Sequence, residues 1–72
     1  MENVIKKYRI KKGLSQRDFG KIYGTKQPNI FVWEKGNTDF RLTTMFKICE
    51  CLDIPFEEFI AWQYELYKEN KK

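Results

Sequence analysis

The chain of 72 residues has no histidine and only two cysteines, Cys49 and Cys51. Zinc sites and disulfide frameworks staple many domains of this size, and neither has ligands or partners to draw on here. Two positions apart on a helix, Cys49 and Cys51 point in different directions and do not bridge. They read as small buried apolar groups in a reducing cytosol. No run approaches the roughly 20 apolar residues of a membrane span, and residues 1–12 lack the apolar centre of a signal peptide, so a cytoplasmic protein is expected. A glycine-rich phosphate loop and a carboxylate pair at catalytic spacing are also missing. We therefore assign no catalytic residue, no metal ligand and no cofactor, and do not expect an enzyme. The length allows one domain, residues 1–72, whose core must be well patterned because so short a chain buries only about 60% of its unfolded surface.

What is present is basic charge placed unevenly. The net charge is +4, yet residues 1–41 carry +6 and residues 42–72 carry −2. A polyanion would approach the N-terminal half, although a solvated basic face gives the same bias.

Breakers divide the chain into five helical pieces, with no strand pattern, repeat or linker between them. The first spans about Asn3 to Lys12, with Val4, Ile5 and Tyr8 at helical spacing and Gly13 as terminator. The second starts at Ser15, whose hydroxyl and the Asp18 carboxylate make a capping box. It buries Phe19 and Ile22 and ends at Gly24. The third covers roughly Thr25 to Glu34, with Ile30 and Trp33 inward, and stops at Gly36. The fourth runs from about Leu42 to Leu52, burying Leu42, Met45, Phe46, Ile48, Cys49 and Leu52. Pro55 suits the first turn of a fifth that continues to about Asn70, with Glu57 and Glu58 at its positive end. Short connections between short helices predict an all-α fold, a compact orthogonal bundle. The sharpest junction, Tyr23-Gly24-Thr25-Lys26, has the sequence shape of a helix-turn-helix, which a plain helical hairpin shares.

Gly13-Leu14-Ser15-Gln16, followed by Phe19, Gly24, Ile30 and Trp33-Glu34-Lys35-Gly36, resembles the Cro-type phage repressor family, also called the Xre-type helix-turn-helix. The similarity runs from about Val4 to Ile60, with Leu42, Met45, Ile48, Leu52, Ile54 and Phe59 at the family's apolar positions in the last two helices. The resemblance implies a lambda-repressor-like, double-stranded DNA-binding regulator, most often a repressor bound to a two-fold operator. It implies an ion pair between Arg9 and Glu34 that clamps the third helix to the bundle, and a phosphate contact by Gln16. Arg17, Lys35, Asn37 and Arg41 are assigned phosphate contacts alongside it.

With Ile30 set inward and residues about 100° apart, Trp33 and Glu34 flank the core side, while Pro28, Phe31, Val32 and Lys35 lie opposite. Lys26 and Gln27 occupy the end that approaches base edges in this motif. Gln27 matches adenine, Lys26 guanine or phosphate, and Asn29 a base or the backbone. The base-contact set is thus Lys26, Gln27, Pro28, Asn29, Phe31 and Val32. Many relatives have Ser or Thr near Lys26 and polar residues at 31 and 32. The apolar pair here points to a thymine methyl or a protein partner. Because proline restrains the residue before it, Pro28 can delay the helix start to Gln27 or Pro28.

On the fifth helix Phe56, Phe59, Ile60, Leu66 and Tyr67 share a face that Trp62 and Tyr64 widen beyond what one core needs. A homodimer contact through Trp62, Tyr64 and Leu66 is expected. The alternative from another class is an antitoxin or anti-regulator that uses this fold to bind protein.

Overall fold

The computed structural model describes residues 2–36 and 38–70. They form five helices in the order α1 (Val4–Lys11), α2 (Gln16–Tyr23), α3 (Gln27–Lys35), α4 (Leu42–Leu52) and α5 (Phe56–Asn70), with no strand among the described residues. The fold is all-α. None of these helices is long and apolar enough to cross a membrane.

Local chemistry sets most boundaries. Asn3 caps α1 by accepting from the Lys6 amide at 2.9 Å. Gly13 then takes a left-handed turn at φ +71°, and the Leu14 amide returns to the Arg9 carbonyl at 3.1 Å. Ser15 and Asp18 form the expected reciprocal capping box on α2, satisfying two amides that the first helical turn leaves free. The start of α3 falls at Gln27, two residues after Thr25, with Lys26 extended as the N-cap and Pro28 in the first turn, where its missing amide proton costs nothing. Asp53 ends α4 in the left-handed region, which a short polar side chain tolerates, and its carboxylate pairs with Lys12. Pro55 sits one residue before α5, its carbonyl accepting from the amides of Glu58 and Phe59.

Ile5, Phe19, Ile30, Ile48, Leu52 and Phe59 are fully enclosed, one or two from every helix. Edge-on aromatic contacts run from Tyr23 and Phe19 through Trp33, Phe40 and Phe59 to Trp62, with ring centroids 5.1–6.3 Å apart. Edge-to-face geometry favours each pair by about 0.5–1.5 kcal/mol beyond its burial. The chain therefore ties α2 and α3 to the far end of the bundle.

Four expectations about burial are corrected. Ile22 is 55% exposed, because Phe19, Gly20 and Tyr23 define the inner side of α2 and place it about a quarter turn away. Leu42 and Phe46 are exposed as well. Ile48, Cys49 and Leu52 fix the inner stripe of α4; Leu42 lies a turn beyond the core, and Phe46 leans on Phe56 with centroids 4.9 Å apart. Trp62, expected at a surface, is only 5% exposed, since Phe59, Trp62 and Leu66 at i, i+3 and i+7 form the inward stripe of α5. Both cysteines are free thiols, and burial pushes Cys49 up to about 11 and raises Cys51 too, which makes them poor nucleophiles.

A clamp between α1 and α5 completes the bundle. Glu58 accepts from the Tyr8 hydroxyl at 2.5 Å and from Lys7 Nζ at 3.2 Å. The Tyr8 hydrogen bond, then that of Lys7, holds the Glu58 carboxyl below its usual 4.5, while the same bonds raise Tyr8 and Lys7 above their ordinary values of 10.0 and 10.5. The Glu58 contribution is therefore full above its unfolded value and is lost as pH falls through its lower folded one. Those of Tyr8 and Lys7 are full below their unfolded values and fade as pH rises through the higher folded ones. Thermal unfolding across pH checks this: the deficit of Glu58→Gln relative to wild type is small, because the groups are solvent-screened, and it shrinks below pH 4.5 and again above pH 10. A deficit independent of pH would contradict the clamp.

Candidate nucleic-acid interface

The placement of α3 begins with two glycines. At Gly24 (φ +96°) the chain turns sharply, and the amides of Gly24 and Thr25 both reach the Gly20 carbonyl at 2.8 Å. This folds the Thr25 carbonyl so closely over α2 that a Cβ at Gly20 would stand 2.8 Å from its oxygen. Only glycine fits there without displacing backbone. Sequence reasoning passed over Gly20. Its signal was a glycine in the interior of a helical run rather than at an end.

Side chains then lock α3 to α1. Arg9 donates through Nε and Nη2 to the two carboxylate oxygens of Glu34, and through Nη1 to the Leu14 carbonyl at 2.7 Å. The Glu34 side chain is only 5% exposed and that of Arg9 10%. The expected ion pair thus exists, buried and bidentate, with further bonds on both partners. Asn3 adds a second link that sequence reasoning missed: its Nδ2 donates to the carbonyls of Trp33 and Glu34 at 3.3 and 3.0 Å. One side chain thereby caps the start of α1 and holds the last turn of α3.

With Ile30 enclosed and Glu34 locked, α3 has one open face. Lys26, Gln27, Pro28 and Asn29 are all exposed at its N-terminal end, and Phe31 and Val32 follow at 49% and 53%. Lys35 Nζ rests 4.9 Å from the Phe31 ring centre, a cation over an aromatic face. Asn29 turns back to donate to Thr25 Oγ1 at 2.8 Å, which engages one of its amide hydrogens. Because Arg9 matches the charge of Glu34, the α2–α3 surface presents Arg17, Lys21, Lys26 and Lys35 against Asp18. Trp33 is half-buried in the aromatic chain and offers no stacking platform.

Gln16 opens α2 beside this face. Its Nε2 donates to Glu34 Oε1 and its Oε1 accepts from Gln27 Nε2, both at 3.1 Å. The structure thus joins a residue assigned to phosphate with one assigned to a base, a contact the sequence signalled only by a glutamine opening each of two consecutive helices. Arg17 is exposed on α2, and Arg41 is exposed at the N-cap of α4. Asn37 lies outside the described residues. On α5, Tyr64 is exposed, Leu66 half-buried and Trp62 internal, so of the expected contact set only Tyr64 and Leu66 reach the surface.

No curated protein and no solved structure shows a significant match to the chain. The model of the helix-turn-helix family matches residues 5–59, which takes in α1 to α4 and the first turn of α5, and nearly coincides with the stretch from Val4 to Ile60 that carries the resemblance. Two short helices joined at a left-handed glycine, the second buried on one side by Ile30 and open on the other, are the geometry that family uses. The chain belongs to the Xre-type helix-turn-helix family of DNA-binding regulators.

Proposed function

We propose that the chain is a transcription repressor of the cytoplasm that occupies a two-fold operator as a homodimer, with α3 in the major groove. The observation that carries this reading is the open face of α3: a locked helix whose only unburied side begins with Lys26, Gln27, Pro28 and Asn29 and continues with Phe31 and Val32. Gln27 addresses a base edge, Lys26 a guanine or phosphate, and Asn29 a base or the backbone through its remaining amide hydrogen. Arg17, Lys35, Arg41, Asn37 and the second amide hydrogen of Gln16 hold phosphates and set the register.

Three of those phosphate ligands are cationic. Log affinity should fall with log salt by about 0.9 per neutralised phosphate, hence by roughly 2.7 per subunit. Titrations by fluorescence anisotropy would check this, and Arg41→Ala should reduce the slope by about 0.9 while weakening all sequences alike. A flat salt response contradicts the electrostatic part. Phe31 and Val32 are placed against thymine methyl groups. Uracil in place of the contacted thymine should weaken binding several-fold, and unchanged affinity removes that role.

For the dimer we assign the exposed Tyr64 with Ile60 and Tyr67 beside it, and the half-buried Leu66, which packs on the core and lines the neighbouring groove. A groove of about 490 Å³ separates this side from the α3–α4 connection, and two buried polar atoms at it, Thr38 Oγ1 and Gln63 Nε2, have no hydrogen-bond partner among the described residues. The exposure of Phe31 and Val32 also fits a second reading, an antitoxin or anti-regulator that grips protein with α3. Tight binding to such a partner without measurable DNA affinity would favour it.

A further inference from the structure

The groove between the α3–α4 connection and α5 has a volume of about 490 Å³, within the roughly 300–1,000 Å³ of small-molecule sites. Phe40, Met45, Ile60 and Leu66 make its walls apolar, and the exposed Asp39 adds a carboxylate. Two polar atoms interrupt this lining. Thr38 Oγ1 and Gln63 Nε2 are withdrawn from solvent and have no hydrogen-bond partner among the described residues. Each such group lowers stability until something pairs with it. Both can donate, because a glutamine amide nitrogen carries only N–H groups and a hydroxyl carries one O–H. An acceptor oxygen is what satisfies them together. The final torsion of a glutamine turns easily, so an oxygen entering the groove can draw the Gln63 N–H toward it. The walls call for an apolar body, and the Asp39 carboxylate disfavours an anion beside it. The complement is a small neutral molecule, apolar apart from a carbonyl oxygen.

We propose that this groove is an effector site for a small, neutral, largely apolar carbonyl compound, and that its occupation raises the affinity for DNA. The coupling, though not the site, rests on the reading of α3 as the groove helix. One wall of the groove is the α3–α4 connection itself. Within it Phe40 is anchored on the rings of Trp33 and Phe59, whereas Thr38 and Asp39 make no hydrogen bond to any described residue. Gly36, the left-handed end of α3, lines the same groove. In sequence Asn37 and Arg41, both assigned to phosphates, bracket Thr38 to Phe40. A ligand bonded to Thr38 and a duplex bound through Asn37 and Arg41 therefore favour the same ordered connection. Each then raises the affinity for the other by the same factor.

Two probes of nearly equal shape test the chemistry: benzylacetone, a neutral ketone, and hydrocinnamate, which has a carboxylate in place of the acetyl group. Amide spectra of the ¹⁵N-labelled chain report binding. In the wild type we expect benzylacetone to shift the Thr38 amide and the Gln63 side-chain amide, with hydrocinnamate several-fold weaker. Thr38→Val combined with Gln63→Leu removes both donors and keeps the walls. It should melt no lower than the wild type, because two unpaired buried groups are gone, and bind benzylacetone roughly three- to tenfold more weakly for each lost hydrogen bond. Saturating benzylacetone should raise wild-type affinity for an operator selected from a random duplex pool several-fold, and leave the double variant unchanged at the same concentration. No shift at Thr38 and Gln63, equal binding by the double variant, or a preference for hydrocinnamate overturns the site. Signals of Thr38 and Gln63 that move with protein concentration would place a second copy of the chain in the groove, which also overturns it. Binding with the expected preference but unchanged operator affinity overturns the coupling alone. If no operator is enriched with or without benzylacetone while the expected shifts occur, the groove-helix reading fails and the site stands.

Discussion

Replacing Glu34 by alanine should destabilise the chain by about 3–5 kcal/mol, the range for breaking a buried ion pair from one side. The loss comes less from the missing attraction than from what is left behind. Arg9 keeps its charge in an almost enclosed position, with Nε and Nη2 unpaired and only the Leu14 carbonyl still bonded to Nη1. The Gln16 amide loses its acceptor as well. At about 0.05–0.15 kcal/mol per residue, 72 residues yield roughly 4–11 kcal/mol in total, so this one change removes between about a quarter of it and all of it. Urea denaturation followed by circular dichroism would show a midpoint lowered by about a quarter or more, or no folded baseline. Arg9→Met combined with Glu34→Leu should recover most of the loss, because paired apolar replacements leave no orphaned charge. A Glu34→Ala protein of nearly wild-type stability would mean that the pair does not clamp α3.

Phe19→Ala should cost a comparable 3–5 kcal/mol, by a different mechanism. Phe19 has no exposed surface and touches the rings of Tyr23 and Trp33 at centroid distances of 6.2 and 6.3 Å. Its removal opens a cavity between α2 and α3 in a bundle too small to close it by rearranging elsewhere. Trp33 borders that cavity, so its fluorescence should shift toward that of a wetter site in whatever folded fraction remains. Ile22→Ala, three residues along the same helix, is the control: an exposed side chain whose loss should stay within about 0.5 kcal/mol. Equal losses at the two positions would reverse the assigned inner side of α2.

That contrast marks where the sequence is informative. Helix ends were legible because their causes are local: Ser15 with Asp18, the left-handed glycines at 13, 24 and 36, and Pro28 in the first turn of α3 each act within a few residues. The boundaries of α4 agree with expectation although Arg41 makes no side-chain cap at its start. Which apolar residue faces inward was less legible, since α2 has only eight residues and a quarter turn decides between Phe19 and Ile22. On α5 so many side chains are apolar or aromatic that periodicity did not separate the enclosed Trp62 from the exposed Tyr64, and the packing of Phe59 did. Contacts across the bundle had no local signature at all: Tyr8 with Glu58, Lys12 with Asp53, and Asn3 with the last turn of α3 follow from how the helices cross. The family resemblance supplied Arg9 with Glu34, while the link from Gln16 to Gln27 emerged only with the fold.

The most direct test of α3 as the reading helix is selection from a random duplex pool, at near-physiological salt where non-specific binding is weak, by the wild-type chain and by Gln27→Ala. The account predicts a two-fold site with half-site centres about 34–36 Å apart, in which Gln27→Ala makes one base pair of each half-site indifferent and leaves the rest intact. Enrichment of no sequence, or of a site that Gln27→Ala and Phe31→Ala bind with unchanged preferences, would contradict it.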